Sequence, residues 1–332
     1  MKKSRAKKKK PALKMNHGIN TNTKIRIIGV GGAGCNAISR MAKCNIKGVD
    51  LIAINCDAAD LKKIQADKKI QIGKKLTQGF GAGMKPEVGR RAAQEDKEEI
   101  IQALSESDIV FVVSGLGGGT GTFGSSVVAE IAKGLGALTI AVVVLPFSFE
   151  GQQRSRIAKT GLTELKERVD AIITIPNDKI VTQLKDDETV LGAFWASDEI
   201  LRQAVQGISD LIVVPGLINL DFADIKSVME NSGPVLFGVG QGRGEKRIEE
   251  ALNAALNSPF LNSSLKGAKG LLFNISGGDD LSLSEVKEAA DIITKNAEKN
   301  AKIIFGVIQD SAVYKNGTVK ITVIATGLGG NE

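Results

Sequence analysis

Two glycine-rich loops constrain this chain more than any other feature, and each lies where a short apolar strand gives way to a helix. The first is Gly29-Val30-Gly31-Gly32-Ala33-Gly34-Cys35-Asn36, which closes the apolar run begun at Ile25. The second is Gly115-Leu116-Gly117-Gly118-Gly119-Thr120-Gly121-Thr122, which follows Asp108–Ser114. Glycine at the carboxyl end of a strand lets backbone N–H groups approach an anion, and the helix that follows turns its positive end toward it. One such loop fits a dinucleotide-binding fold equally well, and a merely tight strand-to-helix turn would account for it without any ligand. Two at the edge of one sheet predict several phosphates held between them. No GxxxxGK[ST] run occurs, so the pattern is not a P-loop.

The surrounding pattern says how such loops come to share an edge. Apolar runs at 25–30, 49–55, 108–114, 138–145 and 171–175 alternate with amphipathic stretches that reach Met41, cover 87–104 and reach Lys133. Strands apolar on both faces, separated by helices, predict a parallel sheet covered on both sides, the doubly wound α/β arrangement. A long, mostly helical segment from Glu188 to Val214 then ends at Pro215-Gly216. Beyond it the spacing changes: strands are predicted at 234–240, 270–275, 303–308 and 319–325, helices at 246–257 and 283–299, and a turn at 315–317. This reads as a second, smaller α+β unit.

Charge narrows the partners. The chain of 332 residues carries a formal +7, but Lys2, Lys3, Arg5, Lys7, Lys8, Lys9, Lys10 and Lys14 lie in the first 23 residues with no acid among them. Those eight taken from 44 basic residues leave 36 against 37 acids, so the body is nearly neutral and no specific nucleic-acid partner is expected. A lysine run of this kind repels itself and stays solvated; its functional reading is attachment to acidic lipid or nucleic acid. No apolar run reaches the roughly 18–20 residues that span a bilayer, and no secretory signal follows the basic start. The three cysteines, Cys35, Cys44 and Cys56, lack zinc spacing and read as small buried residues of a reducing compartment. A cytoplasmic protein is expected. The single histidine, His17, sits in the tail, which leaves the alternative of an NAD-dependent oxidoreductase without a catalytic imidazole.

Taken together, Gly117–Thr122, Gly81-Ala82-Gly83, Pro146-Phe147-Ser148-Phe149-Glu150-Gly151, Ile175-Pro176-Asn177-Asp178 and Asn219-Leu220-Asp221-Phe222-Ala223-Asp224 resemble the tubulin/FtsZ GTPase family, in particular its bacterial cell-division members. The likeness runs from about Lys24 to Gly330. It implies a GTP-binding domain over 24–187, a central helix over 188–215 and a C-terminal α+β domain over 216–330, behind a disordered basic tail at 1–23. It also implies roles. Gly32, Ala33, Gly34 and Asn36 line the first phosphate loop; Gly117, Gly118, Gly119, Thr120, Gly121 and Thr122 bind the α- and β-phosphates. Asn55 and Asp57 lie near the nucleotide and its metal, and Gly81, Ala82 and Gly83 approach the γ-phosphate. Glu150 and Arg154 contact the ribose, Asn177 and Asp198 pair with guanine, and Phe194 stacks on it.

The resemblance gives the acidic loop a separate part. Asn219, Asp221 and Asp224 enter the pocket of the next subunit, where the two acids position the attacking water. Asp221 and Asp224 are three apart, so one helical turn presents both the same way; acids at such a place also serve as ordinary helix caps. The implied product is a head-to-tail GTPase filament of the division ring, with GTP/GDP and Mg²⁺ held through phosphates and water, K⁺ as a further cation, and division adaptors as partners. A non-hydrolysing GTP-binding scaffold is the competing expectation, and Phe123, where the family usually has glycine, favours it. The sequence stops at Asn331-Glu332 without the linker and terminal peptide of the family, so either membrane recruitment runs through the basic tail or the sequence is a piece of a longer chain.

Overall fold

A computed structural model describes residues 23–327, apart from 183, 185, 186, 259–264, 266, 296, 312, 315 and 316. The basic tail before residue 23 and the predicted turn at 315–316 lie outside the described residues.

In chain order the elements are β1 (Ile25–Val30), α1 (Gly31–Lys43), β2 (Val49–Asn55), α2 (Ala58–Lys63), β3 (Lys68–Gln71), α3 (Lys74–Thr77), α4 (Pro86–Glu95), α5 (Lys97–Leu104), β4 (Ile109–Gly115), α6 (Gly119–Gly134) and β5 (Leu138–Leu145). They continue with α7 (Gln152–Lys166), β6 (Ala171–Pro176), α8 (Asn177–Val181), α9 (Val190–Val213), α10 (Phe222–Met229), β7 (Gly233–Arg243), α11 (Arg247–Leu256), β8 (Gly270–Gly277), α12 (Leu283–Thr294), β9 (Lys302–Gln309) and β10 (Thr318–Thr326).

The first six strands run parallel in the order β3-β2-β1-β4-β5-β6. Their two faces feed two separate cores, as the period-2 side-chain alternation requires. Ile109, Phe111 and Val113 of β4 join one cluster with α1 and α9, whereas Val110 and Val112 join the other with α4 to α7. The strand order reverses between β1 and β4, and the register Val30↔Ser114 brings the two strand ends side by side. That is the switch point where open α/β sheets leave a crevice at their carboxyl edge.

The second unit is not a detached sheet. β6 pairs with β7 at Ala171↔Gly233 and Ile172↔Pro234, so the strand order runs on through β7-β10-β8-β9. α9 fills the space between the halves, burying Leu201, Val205, Ile208 and Ile212 at helical spacing.

Two sequence expectations need correcting, and two elements were not expected. The helix expected over 87–104 is two helices, because the Asp96 carboxylate accepts a hydrogen bond from Gly73 N at 2.7 Å and the backbone bends there (φ −106°, ψ 27°). The last helix ends at Thr294 and not at 299. β3 and α7 carried too little apolar pattern to be predicted: β3 buries only Ile70, and α7 buries Ala158, Gly161 and Leu165 against α6.

Candidate functional site

The two glycine loops meet in space. Gly31 sits at φ +75°, and a Cβ there would stand 2.8 Å from Gly121 N, so only glycine allows the contact. The buried Ser114 hydroxyl ties the loops from beneath, 3.0 Å from the Gly121 carbonyl oxygen and 3.3 Å from that of Val30. Above this seam lies an open cleft of about 220 Å³. Gly31, Gly32 and Ala33 line it from the start of α1, and Gly118, Gly119, Thr120 and Gly121 from the start of α6. Neither helix has a side-chain cap at its amino end, so both direct unclaimed N–H groups and the positive end of their dipole toward the cleft. The arrangement suits a multiply charged anion.

The far end of the cleft is built for a flat, polar ring. Phe194, Ser197 and Asp198 come from α9, and Asn177 opens α8 directly after β6. Phe194 stands edge-on to the buried Phe147 (5.2 Å, 87°), which stacks on Phe149 (4.9 Å, 11°). Glu150 accepts a hydrogen bond from Phe147 N at 2.9 Å and pairs with Arg154 at 2.9 Å, fixing the turn that carries both. Arg154 Nε is buried without a protein acceptor. Burial pushes Asp198 up to about 6, while Arg40, 3.3 Å away, draws it back toward the charged form. Ser197 donates to Asn177 Oδ1 at 2.8 Å. Neither Ser197 nor Arg40 was singled out from sequence; their parts depend on neighbours that come from other elements.

Of the residues expected at the site, Gly32, Ala33, Gly118, Gly119, Thr120, Gly121, Glu150, Arg154, Asn177, Phe194 and Asp198 line this cleft. The others lie around it. Gly34 packs on β4, its Cβ position only 2.4 Å from the Val113 carbonyl oxygen, and Asn36 is exposed on α1. Gly117 spends its N–H on Thr122 Oγ1 at 2.9 Å, so this pair shapes the second loop from within. Gly81, Ala82 and Gly83 belong to a segment that closes on the second loop: a Cβ on Gly119 would stand 2.7 Å from that of Ala82. Asp57 caps α2 through Asp60 N (2.9 Å), and Asn55 donates to Asp60 Oδ2 (3.1 Å). Asp60, which no sequence signal marked, lies beside the first loop. Phe123 is buried away from the cleft with the Arg90 guanidinium 4.3 Å above its ring.

Among the described residues no group of three or more His, Cys, Asp or Glu could hold a metal alone. A magnesium ion fits this surrounding only as a partner of phosphate oxygens and water, its usual manner.

The acidic loop lies elsewhere. Asp221 caps α10, accepting from Asp224 N at 2.7 Å, and Asn219 accepts from Gly216 N. Ile218 bridges to Val307 of β9, an edge strand separated from β4 by β5, β6, β7, β10 and β8. At the usual strand spacing of roughly 4.8 Å, six steps amount to about 29 Å of sheet. None of the three residues lines the cleft.

Residues 24–185 match the tubulin/FtsZ family GTPase domain, and 233–329 match the FtsZ family C-terminal domain. Among solved structures, an empty FtsZ dimer from M. jannaschii is 46% identical, with 92% of this chain and 89% of that one covered and a TM-score of 0.87. A mutant FtsZ from the same organism is 45% identical (93% and 92% covered, TM-score 0.87). CetZ2 from Haloferax volcanii, solved as a GTPγS-bound protofilament, shares the fold at 22% identity (92% and 94% covered, TM-score 0.78).

Proposed function

The chain belongs to the tubulin/FtsZ family of GTPases, and from that premise we propose that it hydrolyses GTP at a site completed only when a second copy docks on the cleft. The supporting observation is a separation within one molecule. The acids that line the cleft itself are Glu150 and Asp198, while Asp221 and Asp224 stand on a loop remote from it. Stacking copies in one direction brings the loop of one to the cleft of the next, and a head-to-tail contact of this kind propagates as a filament.

In this reading the N–H groups of α1 and α6 hold the phosphates. Asn55, Asp57 and the Gly81–Gly83 segment face the γ-phosphate, and Glu150 with Arg154 borders the ribose. Asp198 accepts from the N1–H and 2-amine of guanine, Asn177 donates to its 6-oxygen, and Phe194 covers the ring. Asp221 and Asp224 of the incoming copy, steadied by Asn219, position water for attack; the charge on the phosphates would be neutralised by Mg²⁺ held through phosphate oxygens and water, with K⁺ as a further cation. The domain limits follow the same division: 24–187 for nucleotide, 188–215 for the central helix, 216–330 for the part that delivers the acids. The filament serves division at the cell's midline, attached by adaptor proteins or by the lysine-rich tail. The M. jannaschii dimer and the Haloferax volcanii protofilament lend support, since both relatives self-associate.

The test is phosphate release as a function of protein concentration. A site shared between copies gives specific activity that climbs steeply above a threshold concentration and tracks sedimentable polymer. Constant specific activity down to concentrations where only monomer sediments would refute the proposal.

A further inference from the structure

We infer that Arg90 and Glu164 are positioning residues, which form a strap behind the second glycine loop and hold its N–H groups at the spacing a phosphate chain needs. The inference rests on the phosphate reading above and concerns two residues that the reading does not use.

The first turn of α6 is gripped between two helices, and each grips it through a glycine. On one side is α4: a Cβ on Gly89 would run into the Gly119 carbonyl oxygen and stand 2.9 Å from Thr120 Cα. On the other is α7: a Cβ on Gly161 would run into the side chain of Thr122, whose hydroxyl accepts from Gly117 N at 2.9 Å. Backbones this close leave the loop no slack as long as the two outer helices stay in place.

Arg90 and Glu164 keep them there. Arg90 follows Gly89 on α4, and Glu164 lies three residues past Gly161 on α7. Two parallel bonds join them, Nη1 to Oε1 at 2.6 Å and Nη2 to Oε2 at 2.7 Å. A bidentate pair of this kind fixes direction as well as distance. Glu87 braces Arg90 from within α4 (3.0 Å), and Arg168 braces Glu164 from just beyond α7 (3.0 Å). The two side chains are only 22% and 16% exposed, so water and salt screen the pair less than a surface bridge. Phe123 of α6 lies beneath the guanidinium, and the bonds to Glu164 do not pass through its ring.

Neither partner lines the cleft, so both act through the backbone they hold. α4 follows closely on the Gly81–Gly83 segment, and α7 follows the turn that carries Glu150. The strap therefore ties the γ-phosphate side of the cleft to its ribose side across the back of the loop between them. Without it α4 and α7 spread, the first turn of α6 gains room, and its N–H groups lose the alignment they have before any ligand arrives. The purine end, built from Asn177, Phe194 and Asp198 on other helices, is untouched.

The experiment is a set of competition titrations with guanosine, GDP and GTPγS, below the concentration at which the protein assembles. They are run on the full chain and on its R90Q, E164Q and doubly substituted variants. In R90Q the affinity gained from guanosine to GTPγS is expected to shrink about 10-fold, the worth of one hydrogen bond to a charged group. Guanosine itself should bind all four proteins alike. E164Q breaks the strap from its other end and should give the same loss. The double variant should be no worse than either, because one interaction cannot be lost twice. Equal losses for guanosine and GTPγS, or an unchanged gain, would overturn the inference by reducing the pair to packing. Additive losses in the double variant would overturn it as well, since the two residues would then act apart. A wild-type protein that gains nothing from added phosphates is a different result, and it would bring down the phosphate reading itself.

Discussion

Arg40 of α1 meets Asp198 of α9, which lines the cleft, Nε to Oδ2 3.3 Å, and the same guanidinium lies 5.0 Å from the centre of the Trp195 ring. One cation thus couples the acid proposed to read guanine to the only tryptophan of the chain.

The acid gives a signed pH dependence. Burial lifts Asp198 from 3.8 to about 6, so between those values the folded protein keeps a proton that the unfolded chain releases. The neutral acid therefore favours the folded state below that window, and the advantage is lost as pH rises through about 6. The proposed guanine contact needs the opposite form. GDP affinity is expected to fall as pH is lowered through about 6, and in R40Q, which loses the one cation drawing the group down, the midpoint should move upward. Calorimetric titrations across this range check both. D198N should lose GDP binding while its Tm at neutral pH stays at or above wild type; a large drop in Tm would contradict the assigned cost of ionised Asp198.

Trp195 offers a direct readout, since it is 57% exposed and rests against Arg40. Guanine taking the Asp198 carboxylate shifts Arg40, so GDP is expected to change tryptophan emission in wild type. D198N should give no such change at the same GDP concentration. Equal responses in the two proteins would place the emission change elsewhere.

Asp221 caps α10, and the catalytic part proposed for it can be separated from that cap by substitution. As the cap of α10 its loss to Ala should cost about 1 kcal/mol of stability. D221N keeps an acceptor for Asp224 N and should spare most of that stability, yet abolish turnover as completely as D221A, with GTP affinity unchanged in both. Mixing D221N with a variant unable to bind GTP, such as D198N, should restore part of the activity, because one copy supplies the pocket and the other the acids. No recovery in the mixture would argue against sharing.

Phe123 is expected to matter for stability and not for nucleotide. Its ring is buried beneath Arg90 and outside the cleft, so F123A should cost about 3–5 kcal/mol as a large-to-small core change. The GDP dissociation constant should stay within about twofold, a shift of roughly 0.4 kcal/mol. A tenfold change in binding would show that the ring shapes the pocket.

Much of the architecture was open to a reader of the residues because it rests on period and punctuation. Runs such as Leu138–Leu145 are apolar on both faces, which only a doubly covered sheet accommodates, and glycine at both strand ends marks the edge where the cleft opens. The eleven expected residues that line the cleft are mostly backbone donors or residues within short motifs, whose local geometry travels with the local sequence. The misses have the opposite character. β3 is held by pairing with β2, α7 by packing on α6, and the break at Asp96 by a bond to Gly73, all partners distant in the chain.

By itself, then, the sequence determined the parallel sheet, the two glycine-rich loops and the presence of an acidic turn, since each depends on residues adjacent in the chain and on the spacing of apolar side chains. Only the tertiary structure decided that Ser197 grips Asn177, that Arg40 faces Asp198, that Phe123 turns away from the cleft, and that Asp221 and Asp224 stand across the sheet from the two glycine loops. Those are contacts between elements, set by how whole helices and strands pack, and no local pattern of residues encodes them.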